Sequence, residues 1–240
     1  MTRFHLLSSL TIALCVLSGA ASSLAQDLSA DEILANLEES ARTLEDASFL
    51  ATGKLIDVDG TTYDLEIEVD VIPGLELLRA YFILPDALAD NFVIIDSHDV
   101  YNYLFLTNQV TVLDINDPDA LGGLLPETEV DLEEEAERLD LTFDLEALFL
   151  GWTMSVQGYR DLPEGNVYML RFDNEEEGAE IGHVNAEVFD QEWYPRWMEF
   201  VLADGHVIAE IFIENFAREL GLDPADLRYI PPDAEIIDER

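Results

Sequence analysis

The chain has 240 residues and a mass of 27.0 kDa, and 49% of its residues are hydrophobic, which favours one compact domain over a disordered chain. Its 52 acidic residues outnumber 11 basic ones and give a net charge of -41. Such a charge repels the phosphates of nucleic acids, so we expect no nucleic-acid partner. It also argues against docking on an anionic membrane through a basic patch.

The first 25 residues have the pattern of a secretory signal peptide. Arg3 precedes an apolar run from Leu6 to Leu17, and Ser23-Leu24-Ala25 is a small-x-small cleavage site. A transmembrane anchor is the alternative, but hydroxyl residues interrupt a run that is short for a bilayer. We expect residues 1–25 to be removed on export and residues 26–240 to form one domain. The only cysteine, Cys15, lies in the signal, so no disulfide supports this domain.

A helix is predicted over residues 29–46. Ser29 and Glu32 have the spacing of a capping box, which satisfies the first backbone N–H groups of a helix. Apolar residues then recur at helical spacing and form one stripe that needs a partner surface. The residues of this stripe are Ile33, Leu34, Leu37, Ala41 and Leu44.

From about Ala47 the apolar period changes from helical spacing to two. Leu65, Ile67 and Val69 alternate with Glu66 and Glu68, which is typical of an antiparallel strand with one buried face. Turn signals such as Asp-Gly and Pro-Gly then recur at strand-like intervals. They predict about eleven strands, near 47–57, 61–72, 75–84, 91–96, 100–106, 109–115, 152–160, 165–173, 181–190, 195–203 and 206–216.

The stretch 116–150 interrupts this series with Asp-Pro, Gly-Gly and an acidic run, and is predicted to be loop and short helix. Eleven strands in one open sheet tend to curl, and helices from this stretch and from the N-terminus could cover one face. The predicted fold is therefore α+β, with a single curved antiparallel sheet forming an unclosed β-barrel and helices as a lid. Pro231-Pro232 should halt regular pairing and send the last segment along a sheet edge.

Alternate positions of four predicted strands carry large apolar side chains that could line a cavity. Alkyl chains bind such a lining by burial alone, without precisely placed polar groups. The same residues suit an ordinary packed core, and composition by itself favours the core. The candidates are Leu65, Ile67, Val69, Tyr101, Tyr103, Phe105, Trp152, Met154, Val156, Met198, Phe200 and Leu202.

Catalytic, metal and cofactor motifs are not found in this sequence. After export the histidines are His98, His183 and His206, and they form no H-x-x-x-H pair. G-x-S-x-G, P-loop and G-x-G-x-x-G motifs are missing as well. We therefore expect no enzyme activity, no metal and no cofactor.

The order of elements resembles the outer-membrane lipoprotein carrier family, also called the LolA-type or lipoprotein-sorting family. The similarity spans most of the chain and includes the capped helix, the hairpin ending at Pro73 and the turn Ser97-His98-Asp99. Its most specific part is the ending, with Leu222-Asp223-Pro224 followed by Tyr229-Ile230-Pro231-Pro232. The family places an arginine just before the proline of that hairpin, where this sequence has Ile72, so no arginine role is transferred.

The resemblance implies a periplasmic carrier whose unclosed barrel holds the acyl chains of a lipoprotein, or another lipid, in an apolar cavity. Implied partners are an inner-membrane exporter and an outer-membrane receptor, and a monomer is expected. Helices would form a lid that acyl chains displace. The lid candidates are Ile33, Leu37, Leu44, Leu145, Leu148 and Phe149.

Two alternatives of a different class remain open. The same half-barrel could serve as a lipid-sensing regulatory or interaction module that reports by contact with a membrane protein. A structural envelope protein whose barrel is filled by its own side chains is the third reading, and it predicts no ligand.

The charge of -41 predicts that salt stabilises the fold. Carboxylates on one surface repel each other, and salt shortens the range of this repulsion to about 10 Å at 0.1 M and about 3 Å at 1 M. The melting temperature should therefore rise when 1 M NaCl is added, as followed by circular dichroism. A fall in melting temperature would contradict this expectation.

Overall fold

The computed structural model of the protein describes residues 28–56, 60–115, 152–176, 179 and 181–240. The predicted signal peptide, the 116–150 stretch and the lid candidates Leu145, Leu148 and Phe149 lie outside the described residues. The division into a signal peptide and one domain over 26–240 therefore stays a prediction.

The described chain forms one large sheet, one long helix and one short helix. Helix α1 spans Ala30–Arg42, a 3₁₀ turn spans Pro73–Leu75, and helix α2 spans Pro224–Leu227. The strands are β1 Ala47–Ile56, β2 Thr62–Ile72, β3 Leu77–Leu84, β4 Phe92–Ile95, β5 Asp99–Leu104, β6 Gln109–Asp114, β7 Trp152–Leu162, β8 Gly165–Asn174, β9 Ile181–Phe189, β10 Pro195–Leu202, β11 Val207–Arg218 and β12 Glu235–Asp238.

Helix α1 begins at the predicted capping box. The Glu32 backbone N–H donates to Ser29 Oγ at 3.3 Å, and the Ser29 N–H donates to the Glu32 carboxylate at 2.8 Å. The helix ends earlier than predicted because the Thr43 hydroxyl donates to the Glu39 carbonyl at 2.7 Å and satisfies one of the last helical carbonyls. Leu44, which the sequence pattern places on the apolar stripe, follows the helix and is half-buried.

The twelve strands form one sheet in the order β12-β6-β5-β4-β3-β2-β1-β11-β10-β9-β8-β7. Each of the eleven predicted strands is present, and every pair among them is antiparallel. The sheet is not closed into a barrel: β7 lies at one edge and β12 at the other. The prediction of a single unclosed sheet with few helices is confirmed, with one difference: the sheet is mixed, because a twelfth strand pairs parallel with β6.

The twelfth strand is the C-terminal segment. It follows Pro231-Pro232 and pairs parallel with β6, with Glu235 opposite Gln109 and Ile237 opposite Thr111. The predicted position of this segment along a sheet edge is confirmed. A parallel pair requires the chain to cross over, and residues 219–234 make this crossing.

The two faces of the sheet differ in chemistry because successive side chains of a strand point to opposite faces. On β2, Leu65, Ile67 and Val69 share the face on which α1 packs, whereas Glu66 and Glu68 lie on the other. We call the first the helix face and the second the acidic face. The alternation seen in the sequence is therefore a difference between the two sides of the sheet from β2 through β1 and β11 to β7, whereas β3–β6 carry apolar clusters on both sides.

The C-terminal crossing covers the acidic face at the β3–β6 end. Leu227 of α2 is buried there against Phe92 and Tyr103. Arg79 of β3 lies 4.0 Å from the Phe92 ring and donates to the backbone carbonyls of Leu227 at 3.2 Å and Tyr229 at 2.8 Å. Its charge thus satisfies carbonyl groups at the end of α2.

The start of the same crossing is held by Asp46, just before β1. Its buried carboxylate accepts backbone N–H groups of Leu220, Gly221 and Leu222 at 2.6, 2.8 and 3.0 Å. Gly221 has a φ of +69°, a conformation that glycine adopts without strain and that turns successive N–H groups towards one anion. Burial raises the pKa of Asp46, but the three N–H donors outweigh it and hold the pKa below its ordinary value.

Asp46→Asn should lower the free energy of unfolding at pH 7 by about 1–3 kcal/mol, since it removes the charge to which three backbone N–H groups donate. Because the pKa of Asp46 is lower in the folded state, its carboxylate stabilises the folded protein above the unfolded pKa of about 3.9. This stabilisation is lost as the pH falls through the folded-state pKa. The difference between wild type and variant should therefore shrink below about pH 4, as measured by urea unfolding from pH 7 to pH 2.5.

Asp64→Asn is the matched control, because Asp64 is exposed on the acidic face. It should leave the unfolding free energy at pH 7 unchanged within about 0.5 kcal/mol. Equal losses for the two variants, or a loss for Asp46→Asn that does not change with pH, would contradict the role given to the Asp46 carboxylate.

Candidate functional site

Two rungs of the sheet run across seven strands on the helix face without a charged side chain. Residues that face each other in register on neighbouring strands share a side of the sheet, which allows each rung to be followed from β2 to β7. The first rung is Leu65, Gly53, Ile211, Met198, Ala186, Leu170 and Val156. The second rung is Tyr63, Leu55, Ala209, Phe200, Val184, Phe172 and Met154.

The neighbouring rung on the acidic face has the opposite character. It lies one residue away along every strand and contains five charged or amide side chains in succession between its ends. Its members are Asp64, Lys54, Glu210, Glu199, Asn185, Arg171 and Ser155. An alkyl chain can therefore find an extended apolar surface on only one side of this part of the sheet.

Helix α1 covers one part of the helix face. Ile33 and Leu37 are buried against Tyr168, Leu170 and Val184 of β8 and β9. The amphipathic pattern predicted for this helix is therefore satisfied by the sheet. Partly buried residues at the border of this contact include Met154, Met198 and Phe200.

The central strand β1 carries two small residues on the helix face, Ala51 and Gly53. Ala51 lies in register between Ile67 and Ile213, and Gly53 lies between Leu65 and Ile211. This placement leaves a shallow trough between two rows of large aliphatic side chains. A Cβ at Gly53 would lie 1.9 Å from the Glu210 carbonyl oxygen, so the close approach of β11 requires glycine there.

Nine of the twelve cavity candidates lie on the helix face. β2, β7 and β10 each contribute three of them, and Leu202 reaches this face because it stands opposite Ile181, which packs against the α1 cluster. The nine are Leu65, Ile67, Val69, Trp152, Met154, Val156, Met198, Phe200 and Leu202. Whether they hold a ligand stays a prediction.

The other three candidates lie elsewhere. Tyr101 and Tyr103 pack on the acidic face, in the cluster that Leu227 covers. Phe105 follows β5 in a turn, where 51% of its surface is exposed. The reason is the two-residue period of β5, which places Val100 rather than the tyrosines on the helix face.

The C-terminal end of α1 is tied to the sheet by polar contacts. Ser40 Oγ donates to the Glu192 carbonyl at 3.0 Å, in the turn between β9 and β10. The Arg218 guanidinium, at the end of β11, donates to Ser40 Oγ at 3.1 Å and to the Glu192 carbonyl at 3.2 Å. These contacts join helix, turn and strand at one point.

A group of aromatic residues packs beside α1 on the helix face. Tyr168 stacks on Trp193 at 5.9 Å and meets the edge of Tyr159 at 5.0 Å between ring centroids. The Tyr159 hydroxyl donates to the Asp190 carboxylate. Burial, together with this hydrogen bond, raises the pKa of Tyr159 to about 12, so the hydroxyl keeps the proton that it donates to Asp190.

A polar cleft of about 710 Å³ lies apart from the helix face, at the ends of β5, β6 and β12. Its lining includes Asp99, Asp238 and Arg240, and the Arg240 guanidinium contacts the Asp99 carboxylate at 3.0 Å and that of Asp238 at 2.6 Å. His98 Nδ1 lies 2.6 Å from the hydroxyl of the preceding Ser97, within one turn. Such a lining does not suit an alkyl chain.

Within the described residues, no group of three or more His, Cys, Asp or Glu side chains is placed to hold a metal ion. In the same part of the chain, no helix has the length and apolar character that crossing a membrane requires.

Comparison with known proteins relates this chain to solved structures. No family model matches the sequence, and no curated protein matches it significantly. An uncharacterized conserved protein from Thermus thermophilus matches with a TM-score of 0.60 and 22% identity, over 87% of this chain and 98% of that one. MucB matches with a TM-score of 0.50 and 11% identity, over 87% of this chain and 65% of MucB.

An outer membrane lipoprotein-sorting protein domain from Vibrio parahaemolyticus also matches, with a TM-score of 0.44 and 12% identity, over 82% of this chain and 95% of that domain. At these identities the likeness is one of fold. The open twelve-stranded sheet with α1 on one face confirms the LolA-like fold that the order of elements predicts.

Met198→Glu should weaken the binding of an apolar dye if the helix face is open to ligands. A carboxylate at the centre of the first rung would have to be desolvated beside the dye, so the affinity for 1-N-phenylnaphthylamine should fall at least about tenfold. Dye fluorescence measures this directly.

Glu199→Gln is the matched control, since the next residue of β10 lies on the acidic face and keeps its contact with Asn185 through an amide oxygen. Its dye affinity should stay within about twofold of wild type. Equal affinity of wild type and Met198→Glu, with both folded, would contradict a binding role for the helix face.

Proposed function

We propose that the protein is a periplasmic carrier that shields the acyl chains of a lipid or lipoprotein during transfer towards the outer membrane. The observation that carries this proposal is the helix face: two uncharged rungs across seven strands, partly covered by an amphipathic helix. The signal-like residues 1–25 and the LolA-like fold support export and a carrier role.

The dimensions of the helix face suit acyl chains. Neighbouring strands lie about 4.8 Å apart, so a rung of seven strands extends over about 29 Å. One leaflet of a bilayer has a hydrocarbon thickness of about 15 Å, which is the length over which its acyl chains extend. Each CH₂ group removed from water contributes about 0.8 kcal/mol, so burial alone accounts for tight binding without polar partners.

Helix α1 serves as the lid in this proposal. Ile33 and Leu37 occupy apolar surface of β8 and β9 that an acyl chain would otherwise contact. Ligand and helix then compete for the same surface, and binding shifts α1 away from the sheet. The contacts of Ser40 with Glu192 and Arg218 set the position to which the helix returns.

The donor and acceptor of the ligand would be an inner-membrane exporter and an outer-membrane receptor. A protein of net charge -41 meets such partners either through basic groups on their side or through apolar contact in a medium of sufficient ionic strength.

A lipid-sensing regulatory or interaction module on the same fold is the second candidate, and the likeness to MucB favours it. MucB is also found in complex with MucA, so the fold occurs in a protein that binds another protein. A carrier releases its acyl ligand to an acceptor, whereas a sensor needs only to bind it.

Native mass spectrometry of protein purified from the periplasm tests the proposal. Wild type should retain a lipid or acylated peptide that solvent extraction identifies, and Phe200→Asp on the helix face should lose it. Phe212→Asp is the matched control, because Phe212 lies on the acidic face opposite Trp197. If wild type carries no lipid and also fails to bind added lipopeptide, the proposal is contradicted and the helix face is an ordinary packed core.

Cross-linking α1 to the sheet should block ligand uptake while leaving the fold intact. Ser40→Cys with Glu192→Cys places cysteines at two neighbouring positions, because Ser40 Oγ lies 3.0 Å from the backbone carbonyl oxygen of Glu192. The predicted mature chain has no other cysteine. The oxidised double variant should bind no lipopeptide, and reduction should restore binding. Undiminished uptake by the oxidised protein would remove α1 from the mechanism.

A further inference from the structure

Three consecutive large apolar residues are exposed where the hairpin of β5 and β6 turns. Leu104, Phe105 and Leu106 have 39%, 51% and 90% of their surface exposed. Within the described residues, no other large apolar side chain is more than 61% exposed. We call these three residues the apolar tip. A single exposed leucine is common on soluble proteins, whereas a cluster of exposed apolar residues marks a contact site.

The hairpin that carries the apolar tip has no charged side chain. Residues 100–113 contain no Asp, Glu, Lys, Arg or His, although 26% of the whole chain is Asp, Glu, Lys or Arg. A charged group beside an inserting residue would have to lose its hydration, which costs much free energy. The sequence of this hairpin therefore removes the main obstacle to placing its turn in an apolar medium.

The backbone of the turn already has hydrogen-bond partners within the protein. The Phe105 N–H donates to Asn91 Oδ1 at 2.9 Å, and the Asn108 N–H donates to the Phe105 carbonyl at 3.2 Å. The Asn108 amide accepts from the Tyr103 hydroxyl and donates to the Asp233 carbonyl, both at 3.1 Å. The turn is therefore held from both neighbouring segments, and these polar groups keep their partners when the tip leaves water.

Exposed carboxylates flank the apolar tip on both sides. Asp90 precedes Asn91 on one side, and Asp233 and Glu235 lie on the other, where the Glu235 N–H donates to the Asn108 carbonyl at 2.9 Å. At 0.1 M salt these carboxylates repel an anionic surface over a range of about 10 Å. They also oppose deeper insertion, because they would have to be desolvated. The flanks therefore favour a surface without net charge that only the tip enters.

The shape of the apolar tip favours a lipid surface over a pocket in another protein. Successive side chains of an extended segment project to different sides, so a flat partner surface could cover only part of Leu104, Phe105 and Leu106. The interfacial region of a bilayer is fluid and surrounds a protruding turn from every side. Leucine and phenylalanine are among the residues that proteins bury at the boundary of headgroups and acyl chains.

We infer that the apolar tip is a membrane-contact element that inserts Phe105 and Leu106 into the interfacial region of a bilayer whose surface has no net charge. The inference goes beyond the proposed function, since acyl binding on the helix face does not require it. Three apolar side chains give weak and reversible attachment, because membrane affinity scales with the buried apolar area. The protein would thus reach a bilayer surface without remaining there.

Flotation with vesicles of dioleoylphosphatidylcholine in about 0.15 M NaCl tests the inference on protein purified from the periplasm. Wild type should float with the vesicles. Leu106→Asp should lower the ratio of bound to free protein at least about tenfold, because the new carboxylate must be desolvated to enter. Leu106→Trp should bind as tightly as wild type or tighter, and its added fluorescence should be quenched by brominated acyl chains.

Ala203→Asp is the matched control, because it adds the same charge to another exposed turn, between β10 and β11. All six pairs of neighbouring strands from β5 to β10 are antiparallel, so the two strands run in the same direction and both turns lie at the same end of the sheet. Its vesicle binding should stay within about twofold of wild type. Both positions are exposed, so the melting temperatures should agree within about 2 °C.

Vesicles that contain about 30% phosphatidylglycerol test the charge of the surface. In about 10 mM salt, wild type should bind them at least about threefold more weakly than phosphatidylcholine vesicles, because the flanking carboxylates repel the anionic lipid. In about 1 M salt the two affinities should become equal within about twofold. Tighter binding to the anionic vesicles at low salt would overturn the assignment of a surface without net charge.

The remaining outcomes separate the apolar tip from the helix face. Phe200→Asp should float with vesicles as wild type does, even if it loses its acyl ligand. Absence of wild-type flotation, or equal binding by wild type and Leu106→Asp, overturns the membrane contact and leaves the carrier proposal standing. Photo-cross-links from position 106 to a protein, with none to lipid, would assign the tip to a protein pocket and overturn the inference as well.

Discussion

The two-residue period of the strands is the constraint on which this structure depends. A strand that alternates Leu65, Ile67 and Val69 with Glu66 and Glu68 can satisfy its side chains only if one face is dry and the other wet. Because seven neighbouring strands keep the same register, the period separates apolar from charged groups across a wide surface. A one-residue slip of a single strand would place carboxylates among the apolar rungs.

The segment that covers part of the sheet, the C-terminal crossing of residues 219–234, is held in place by polar contacts. A sheet with two edges and an acidic face needs its connecting segments held in place, and the predicted mature chain has no disulfide to do so. Asp46 binds three N–H groups at the start of the C-terminal crossing, Arg79 binds carbonyls at its middle, and β12 pairs with β6 at its end. Hydrogen bonds to charged groups thus hold the C-terminal crossing over the apolar cluster of β3–β6, on the side of the sheet called the acidic face.

In the proposed function, α1 is a lid that the ligand displaces. Its described contacts with the sheet are buried side chains such as Ile33 and Leu37, together with polar contacts at its C-terminal end. Apolar contacts of this kind are not directional, so an acyl chain can replace them without leaving polar groups unsatisfied. Structural neighbours share the fold, and the uncharged rungs are the feature of this chain on which the proposed function rests.

Local patterns in the sequence predict most of the fold. The capping box at Ser29, the alternation of β2 and the turn signals are properties of neighbouring residues, and each is found in the structure. The face on which Tyr101 lies depends instead on which other segment covers it, and no local pattern contains that information. For the same reason the roles of Arg79 and Asp46 emerge only once residues 219–234 are placed against them.

The small residues of the trough are an intermediate case. Ala51 and Gly53 stand at alternate positions of a predicted strand, a signal that a search for large apolar side chains overlooks. Their significance depends on register, since Ala51 forms a trough only because Ile67 and Ile213 stand on either side. The register between distant strands is set by the whole sheet. The sequence therefore predicts the individual strands better than it predicts which of their residues form the candidate site.

Site-specific photo-cross-linking in the periplasm tests the central claim most directly. p-Benzoylphenylalanine at Ile211 lies on the helix face, and the same group at Glu210 lies on the acidic face, one residue away. After irradiation, mass spectrometry should find acylated adducts at position 211 and none at position 210. Adducts of equal yield at the two positions, or acylated adducts at 210 alone, would contradict the assignment of the helix face as the acyl-binding surface.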